Sequence, residues 1–323
     1  MSAALKENEL AFAHGALAAL RTEVGRVIAG PVATIDLLAT ALLAQGHVLL
    51  EGVPGVAKTT MVKTFAHVLG CNSRRIQFTA DLLPSDITGT YVLSPRDGTF
   101  SFRAGPIFAH VVLADEINRA PAKTQAALLE AMQEKQVTVD GERFVLASPF
   151  FVLATQNPID FEGTYPLPEA QIDRFLIRIR MGYPTPEEEL RMLTLHGASM
   201  ASAPTAASVL SPERVFELQS MASRVHVEES LLSYVIAIST ATRRDPRVVL
   251  GVSPRGTLSM IHAAKAHALL RGRAFVTPDD IRELAPAVLA HRMMLSGEHE
   301  GSLDARDNII REVLKKVSYR GAA

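Results

Sequence analysis

The chain of 323 residues is 48% hydrophobic and 21% charged, enough apolar material for a sizeable core and, by length, for about two domains. Its 33 lysines and arginines nearly cancel its 34 aspartates and glutamates, so no global field draws it to nucleic acid or to an anionic membrane. The one cysteine, Cys71, excludes an internal disulfide framework and fits a reducing compartment.

The opening MSAALKENEL carries acidic residues and lacks the basic-then-apolar order of a secretory signal. The most apolar run, Ile35 to Leu50, is cut by Asp36, Gln45 and His47 and is too short and too polar to span a bilayer. No membrane span and a cytoplasmic location are therefore expected. Leu10, Leu17, Leu20, Val24 and Val27 fall near helical spacing in a first helix from about Lys6. Gly30-Pro31 separates it from a second helix ending at about Ala44. HVLLEG then reads as a short strand running into a glycine loop, and TTMVKTFAHVLG as a helix closed by Gly70.

Short apolar runs return at RRIQF, HVVLAD, FFVLATQ and RFLIRIRM, with the helix-like AKTQAALLEAM between the second and third. Buried strands alternating with helices predict an α/β fold with a parallel sheet covered on both faces. Residues 90–103, around SPRDG, and 136–146, around VDGE, read as hairpins with D-G turns. Beyond Tyr183-Pro184 the pattern is helical only, with GASMASAPTAAS as a linker or loop. Ser211-Pro212, Ser253-Pro254 and Thr277-Pro278 each set a capping residue before a proline, the signature of a helix start. The expected division is a core over 1–183, including the N-terminal helices, and an all-α second domain over 184–323.

Strand, loop and helix frame EGVPGVAKTT, which departs by one letter from G-x-x-x-x-G-K-[ST] because Ala57 precedes Lys58. Gly52, Val53, Pro54, Gly55, Val56, Ala57, Lys58, Thr59 and Thr60 form the candidate nucleotide loop. Gly52 and Gly55 allow a tight turn of backbone N–H groups towards phosphates, Lys58 reaches the β/γ oxygens and Thr59 holds Mg²⁺. An alanine with negative φ costs the loop little. Asp115 and Glu116 end the run VVLAD-E, and strand C-terminal ends are where ligands sit in a parallel sheet. Asp115 is thus a candidate Mg²⁺ ligand through water, and Glu116 the group that polarises an attacking water. Asn157, after the next apolar run, is placed to orient that water or contact the γ-phosphate, or it is simply a turn asparagine before Pro158. Arg255 sits in the first turn of a helix, where a cation is disfavoured unless an anion is near. Arg174 in QIDRF reads, on its own, equally as structural.

Together these residues resemble an AAA+ ATPase and, more narrowly, the MoxR family. The matching series is GVPGVAKT, LADEINRAPAKTQAALLEAMQE, QVTVDGERF, ATQNP, GTYPLPEAQIDRF and GVSPRG, in the expected order from Gly52 to Gly256. An alanine before the loop lysine is usual in that family. The resemblance implies an AAA+ P-loop NTPase core with two hairpin insertions followed by a helical lid, with ATP and Mg²⁺ as ligands. It implies that Arg174 is an arginine finger reaching a neighbouring subunit's nucleotide, hence a ring, expected as a hexamer. It makes Asn157 the sensor on the core sheet and Arg255 the lid sensor, acting on its own or the adjacent nucleotide. Both hairpins would face the pore of the ring or a partner.

The function expected is ATP hydrolysis that remodels or matures a protein, such as metal insertion or complex assembly. A von Willebrand factor A-domain protein is one partner the resemblance implies. Two other classes stay open: a nucleic-acid translocase or helicase component, and a nucleotide-gated scaffold. The turns SPRDG and VDGE carry little positive charge and no aromatic platform, which counts against nucleic acid, and Glu116 beside Asp115 counts against a scaffold without turnover.

Overall fold

The computed structural model describes residues 4–28, 32–52, 58–96, 98–157, 164–183, 185–196, 206–297 and 303–319. Helices α1 (Glu7–Val27) and α2 (Val32–Leu43) open the chain. Ala13, Leu17, Leu20 and Val24 line one buried face of α1, while α2, apolar around most of its circumference, is a core helix. Then follow β1 (Val48–Gly52), α3 (Lys58–Val68), β2 (Ser73–Gln77), α4 (Pro84–Thr88), β3 (Gly89–Leu93), β4 (Phe100–Ala104) and β5 (Val111–Asp115). After α5 (Ala122–Glu134) come β6 (Gln136–Val139), β7 (Glu142–Val145), β8 (Phe151–Gln156), α6 (Glu169–Ile172) and β9 (Ile177–Met181).

Five strands make one sheet in the order β2-β5-β8-β1-β9, and every neighbouring pair is parallel. All their C-terminal ends therefore lie along one edge. Side chains alternate between two cores: Val48, Leu50, Leu113 and Leu153 pack with α1 to α3 and the later helices. Leu49, Val112, Ala114, Val152 and Ala154 pack with Leu128, Leu129 and Met132 of α5. Burial on both faces is why these strands read as unbroken apolar runs.

The two expected hairpins are β3–β4 and β6–β7. In the second, Asp140 and Gly141 take φ values of 49° and 85°, the left-handed pair that a tight hairpin turn needs. The hairpins also bind each other, which local sequence does not reveal. Phe102 stacks on Phe144 with ring centroids 4.0 Å apart, and the Tyr91 hydroxyl donates to Glu142 Oε2 at 2.5 Å.

Beyond β9 lie α7 (Pro186–His196), α8 (Pro212–Arg224), α9 (Glu229–Arg243), β10 (Val248–Leu250), α10 (Pro254–Leu270), α11 (Pro278–Leu289), β11 (Met294–Leu295) and α12 (Leu303–Lys316). The predicted helix starts are present: Ser211 and Ser253 accept N–H bonds from Arg214 and Gly256 at 3.4 and 3.1 Å. At the third, Asp280 accepts from the Thr277 N–H at 2.7 Å. The expectation of helices alone is corrected by the antiparallel pair β10–β11; strands of two and three residues are too short to show a period in sequence. Most of the linker, residues 197–205, lies outside the described residues.

The helical lid rests on the core. One apolar cluster runs from α1 and α2 through the sheet into α8 to α12, and Gln219 donates to the Leu42 carbonyl at 2.7 Å. Arg178 and Arg180 of β9 pair with Asp307 of α12 at 3.2 and 3.0 Å. Burial raises the pKa of the neighbouring Glu51, and Arg178 and Arg180 oppose that shift. Among the described residues, no helix is long and apolar enough to cross a membrane.

Candidate functional site

The shared edge of the sheet carries Gln77 on β2, Asp115 on β5, Gln156 on β8 and Gly52 on β1 as the last residues of their strands. Asn157 follows β8 directly and Glu116 follows β5, so the parallel register sets the predicted polar residues side by side. Val53, Pro54, Gly55, Val56 and Ala57 lie outside the described residues. Gly52 has a packing reason of its own: a Cβ there would sit 2.3 Å from the Met181 carbonyl oxygen of β9. A side chain at that position would push the end of β1, from which the loop departs, away from β9.

Lys58, Thr59 and Thr60 are the first residues of α3 among the described residues, and the backbone N–H groups of a first helical turn suit an anion. The Lys58 ammonium donates to the Gly52 carbonyl at 2.8 Å. Burial pulls its pKa below the ordinary value, and the charges of Asp115 and Glu116 oppose that shift. A half-desolvated cation facing two carboxylates is a fitting contact for a phosphate carrying a divalent cation.

One hydroxyl holds the Asp115 carboxylate and the Glu116 backbone. Thr155 Oγ1 donates to Asp115 Oδ1 at 2.6 Å and accepts the Glu116 N–H at 2.8 Å. Asp115 is buried, and its other oxygen takes two bonds from Arg75, at 2.6 and 3.0 Å. Glu116 adopts φ 57°, ψ 50°, a left-handed conformation costing an L-residue roughly 1–2 kcal/mol. That backbone turns its carboxylate towards Gln77 Nε2, 2.9 Å away, and Arg119 Nε, 3.2 Å away. Both Asp115 oxygens are thus engaged, by Thr155 and by Arg75, while Glu116 is held through Oε2 by a neutral amide and a half-exposed arginine.

Neither Arg174 nor Arg255 bonds to Lys58, Asp115 or Glu116. Arg174 lies on the turn between α6 and β9, its N–H bonded to the Gln171 carbonyl at 3.1 Å. Arg255 is the second residue of α10 and is exposed. Among the described residues, neither guanidinium has a hydrogen-bond or ion-pair partner. Sequence reasoning missed Arg75, Gln77, Arg119 and Thr155. Thr155 left a signal, a polar residue inside the apolar run FFVLATQ, since a buried hydroxyl must find partners. Arg75 and Gln77 depend on the pairing of β2 with β5 and left none, while Arg119 is a local contact three residues after Glu116.

Comparison with known proteins agrees with this geometry. A family model described as "ATPase family associated with various cellular activities (AAA)" matches residues 47–177, and one described as "AAA lid domain" matches residues 240–313. The chain is 49% identical over 304 residues to the uncharacterized protein YeaC of Bacillus subtilis, covering 94% of this chain and 95% of that one. It is 46% identical over 305 residues to chaperone MoxR1 of Mycobacterium tuberculosis, covering 92% and 80% of the two chains. With protein MoxR of Methylorubrum extorquens it shares 32% identity over 326 residues, covering 94% and 93%. A crystal structure from Cytophaga hutchinsonii, described provisionally as an ATPase, superposes with a TM-score of 0.89 at 39% identity, covering 97% of this chain and 98% of that one. With the parallel P-loop-type sheet, its carboxylate-lined edge and the helical lid, these similarities place the chain in the MoxR family of AAA+ ATPases.

Proposed function

We propose that this chain hydrolyses ATP to ADP and phosphate with Mg²⁺ and uses the cycle to remodel or mature a protein partner. The observation that carries the proposal is the pair Asp115 and Glu116, held by Thr155 at the end of β5 with Lys58 in their field. In this reading the loop from Gly52 through Val53, Pro54, Gly55, Val56, Ala57, Lys58, Thr59 and Thr60 binds the phosphates. Thr59 and Asp115 hold Mg²⁺, Asp115 through water. The bound ion neutralises charge on the phosphate oxygens. Lys58 exchanges the Gly52 carbonyl for phosphate oxygen. Glu116 leaves Gln77 and Arg119 to accept a proton from the attacking water, and Asn157 orients that water.

Arg174 and Arg255, with no partner among the described residues, are cations left for an anion outside those contacts. We assign Arg174 to the nucleotide of the next subunit in a ring, taken as a hexamer, and Arg255 to the lid side of a nucleotide. A finger of this kind is worth about 10³ to 10⁵ in rate in other phosphoryl-transfer systems, so hydrolysis would depend on assembly. The name of the chaperone MoxR1 relative supports a protein client, and a von Willebrand factor A-domain protein is the class to test first. The proposed domain division is 1–183 and 184–323, and the proposed location is the cytoplasm.

The deciding experiment is ATP turnover by assembled wild type and Glu116→Gln. The variant should bind nucleotide and turn over at least about 10²-fold more slowly, the usual worth of a positioned base. Wild type that binds ATP but does not hydrolyse it when assembled would leave a nucleotide-gated scaffold instead.

A further inference from the structure

Arg292 closes the three-residue turn Ala290–Arg292 that follows α11, and its side chain is 1% exposed. A guanidinium removed from water this fully is costly unless every donor is used. Here both terminal nitrogens are spent on residues 173 and 175, and Nε on the preceding turn of α11. Nη1 donates to the Asp173 carbonyl at 2.9 Å and also to the Asp173 carboxylate, Nη2 donates to the Phe175 carbonyl at 2.8 Å, and Nε donates to the Val288 carbonyl at 2.8 Å. His291 adds a bond from Nε2 to the same Phe175 carbonyl at 3.0 Å. The residue between Asp173 and Phe175 is Arg174. The lid therefore grips the backbone on both sides of Arg174 and leaves the Arg174 side chain without a bond among the described residues.

The other flank of Arg292 meets α10. A Cβ at Gly256 would stand 3.0 Å from Arg292 Cδ, so the arginine stem runs against the first turn of that helix where glycine leaves room. Gly256 follows Arg255, whose charge acts on the Arg292 guanidinium. A single buried side chain thus touches the turn that carries Arg255 and both neighbours of Arg174. The planar fork of arginine can bridge two carbonyls and a carboxylate at fixed angles, which a lysine cannot do.

We propose that Arg292 is a positioning residue for Arg174, locking the Arg174 turn to the lid at the base of Arg255 so that the Arg174 guanidinium is presented at a set place. This rests on the reading of Arg174 as a phosphate-contacting arginine. A displacement of about 1 Å at a reacting centre can cost about 10²-fold in rate, and loss of the fork removes the bonds that fix residues 173 and 175 on either side of Arg174.

The test is a double-mutant comparison in the full chain, with ATP turnover measured on ring fractions against a Glu116→Gln blank. Arg292→Gln should lower kcat about 10²-fold with KM for ATP within about threefold. Arg292→Lys, which keeps the charge without the fork, should fall between the two. In an Arg174→Ala background neither change should lower kcat further. Arg292 variants that retain wild-type kcat, or whose losses multiply with that of Arg174→Ala, overturn the proposal and leave Arg292 a purely structural residue. Wild-type kcat in Arg174→Ala alone overturns the reading of Arg174 itself, a separate failure. If Arg292→Gln does not yield folded protein, Arg292→Lys and Gly256→Ala, which presses a methyl against the Arg292 stem, carry the same comparison.

Discussion

The Thr155 hydroxyl lies 2.6 Å from Asp115 Oδ1 and donates to it, while its oxygen accepts the N–H of the next residue, Glu116, at 2.8 Å. A single side chain of the central strand β8 thus holds the Asp115 carboxylate at the end of β5 and the backbone of Glu116 next to it. Thr155→Val keeps the shape and removes both bonds. Leaving the Glu116 N–H and the Asp115 oxygen short of partners should lower stability by about 1–3 kcal/mol and slow hydrolysis more than tenfold, with nucleotide affinity little changed. Denaturant unfolding and steady-state turnover check both parts; a fall in affinity equal to the fall in rate would show that Thr155 serves binding instead.

Gln77 Nε2 holds the Glu116 carboxylate at 2.9 Å, a bond that Glu116 must leave in the proposed role as base. A hydrogen bond to a charged group is worth about 1.5–3 kcal/mol net, but Arg119 keeps part of the hold. Gln77→Ala is expected to raise partner-free ATP turnover several-fold. A rate at or below wild type would mean that release of Glu116 does not limit the cycle.

His47 lies at the base of the sheet, fully enclosed. It accepts the Val152 N–H at 3.0 Å on Nδ1 and faces the Met132 carbonyl at 3.1 Å with Nε2. Burial lowers its pKa from 6.5 to about 4. The unfolded chain therefore takes up the proton first: stability is full above pH 6.5 and is lost as pH falls towards 4. The His47 share of that loss is about 3 kcal/mol, and His291, whose pKa burial also depresses, acts in the same direction. Melting temperatures recorded across that window should decline. The His47 ring signals in NMR should stay those of a neutral imidazole until about pH 4, and an ordinary titration near pH 6.5 would contradict its enclosure.

Asp307 of α12 is the closest carboxylate to the buried Arg178, at 3.2 Å, and also pairs with Arg180 at 3.0 Å. Removing one partner of a buried pair leaves an uncompensated charge, a cost of about 3–5 kcal/mol in comparable cases; Glu51, 3.8 Å from Arg178, offsets part of it. Asp307→Ala should destabilise the chain by about 2–4 kcal/mol, with faster amide exchange in α12 than in β5. Uniform exchange changes would mean that the contact does not tie the lid locally.

What sequence alone determined was local and periodic. Near-continuous apolar runs placed β1, β5 and β8 because a strand buried on both faces has no polar side to show. Serine or threonine before proline placed three lid helices because capping chemistry is contained within one turn. Asp115, Glu116 and Asn157 could be assigned to one edge because parallel strands end on the same side. Only the tertiary structure decided which groups restrain those residues. Arg75, Gln77 and Thr155 reach Asp115 and Glu116 across strands, from about forty positions away along the chain, and Arg292 reaches Asp173 from 119 positions away. A hydrogen bond is satisfied by proximity in space, and proximity across a sheet or a domain contact is fixed by register and packing, which leave no period in the sequence for a reader to find.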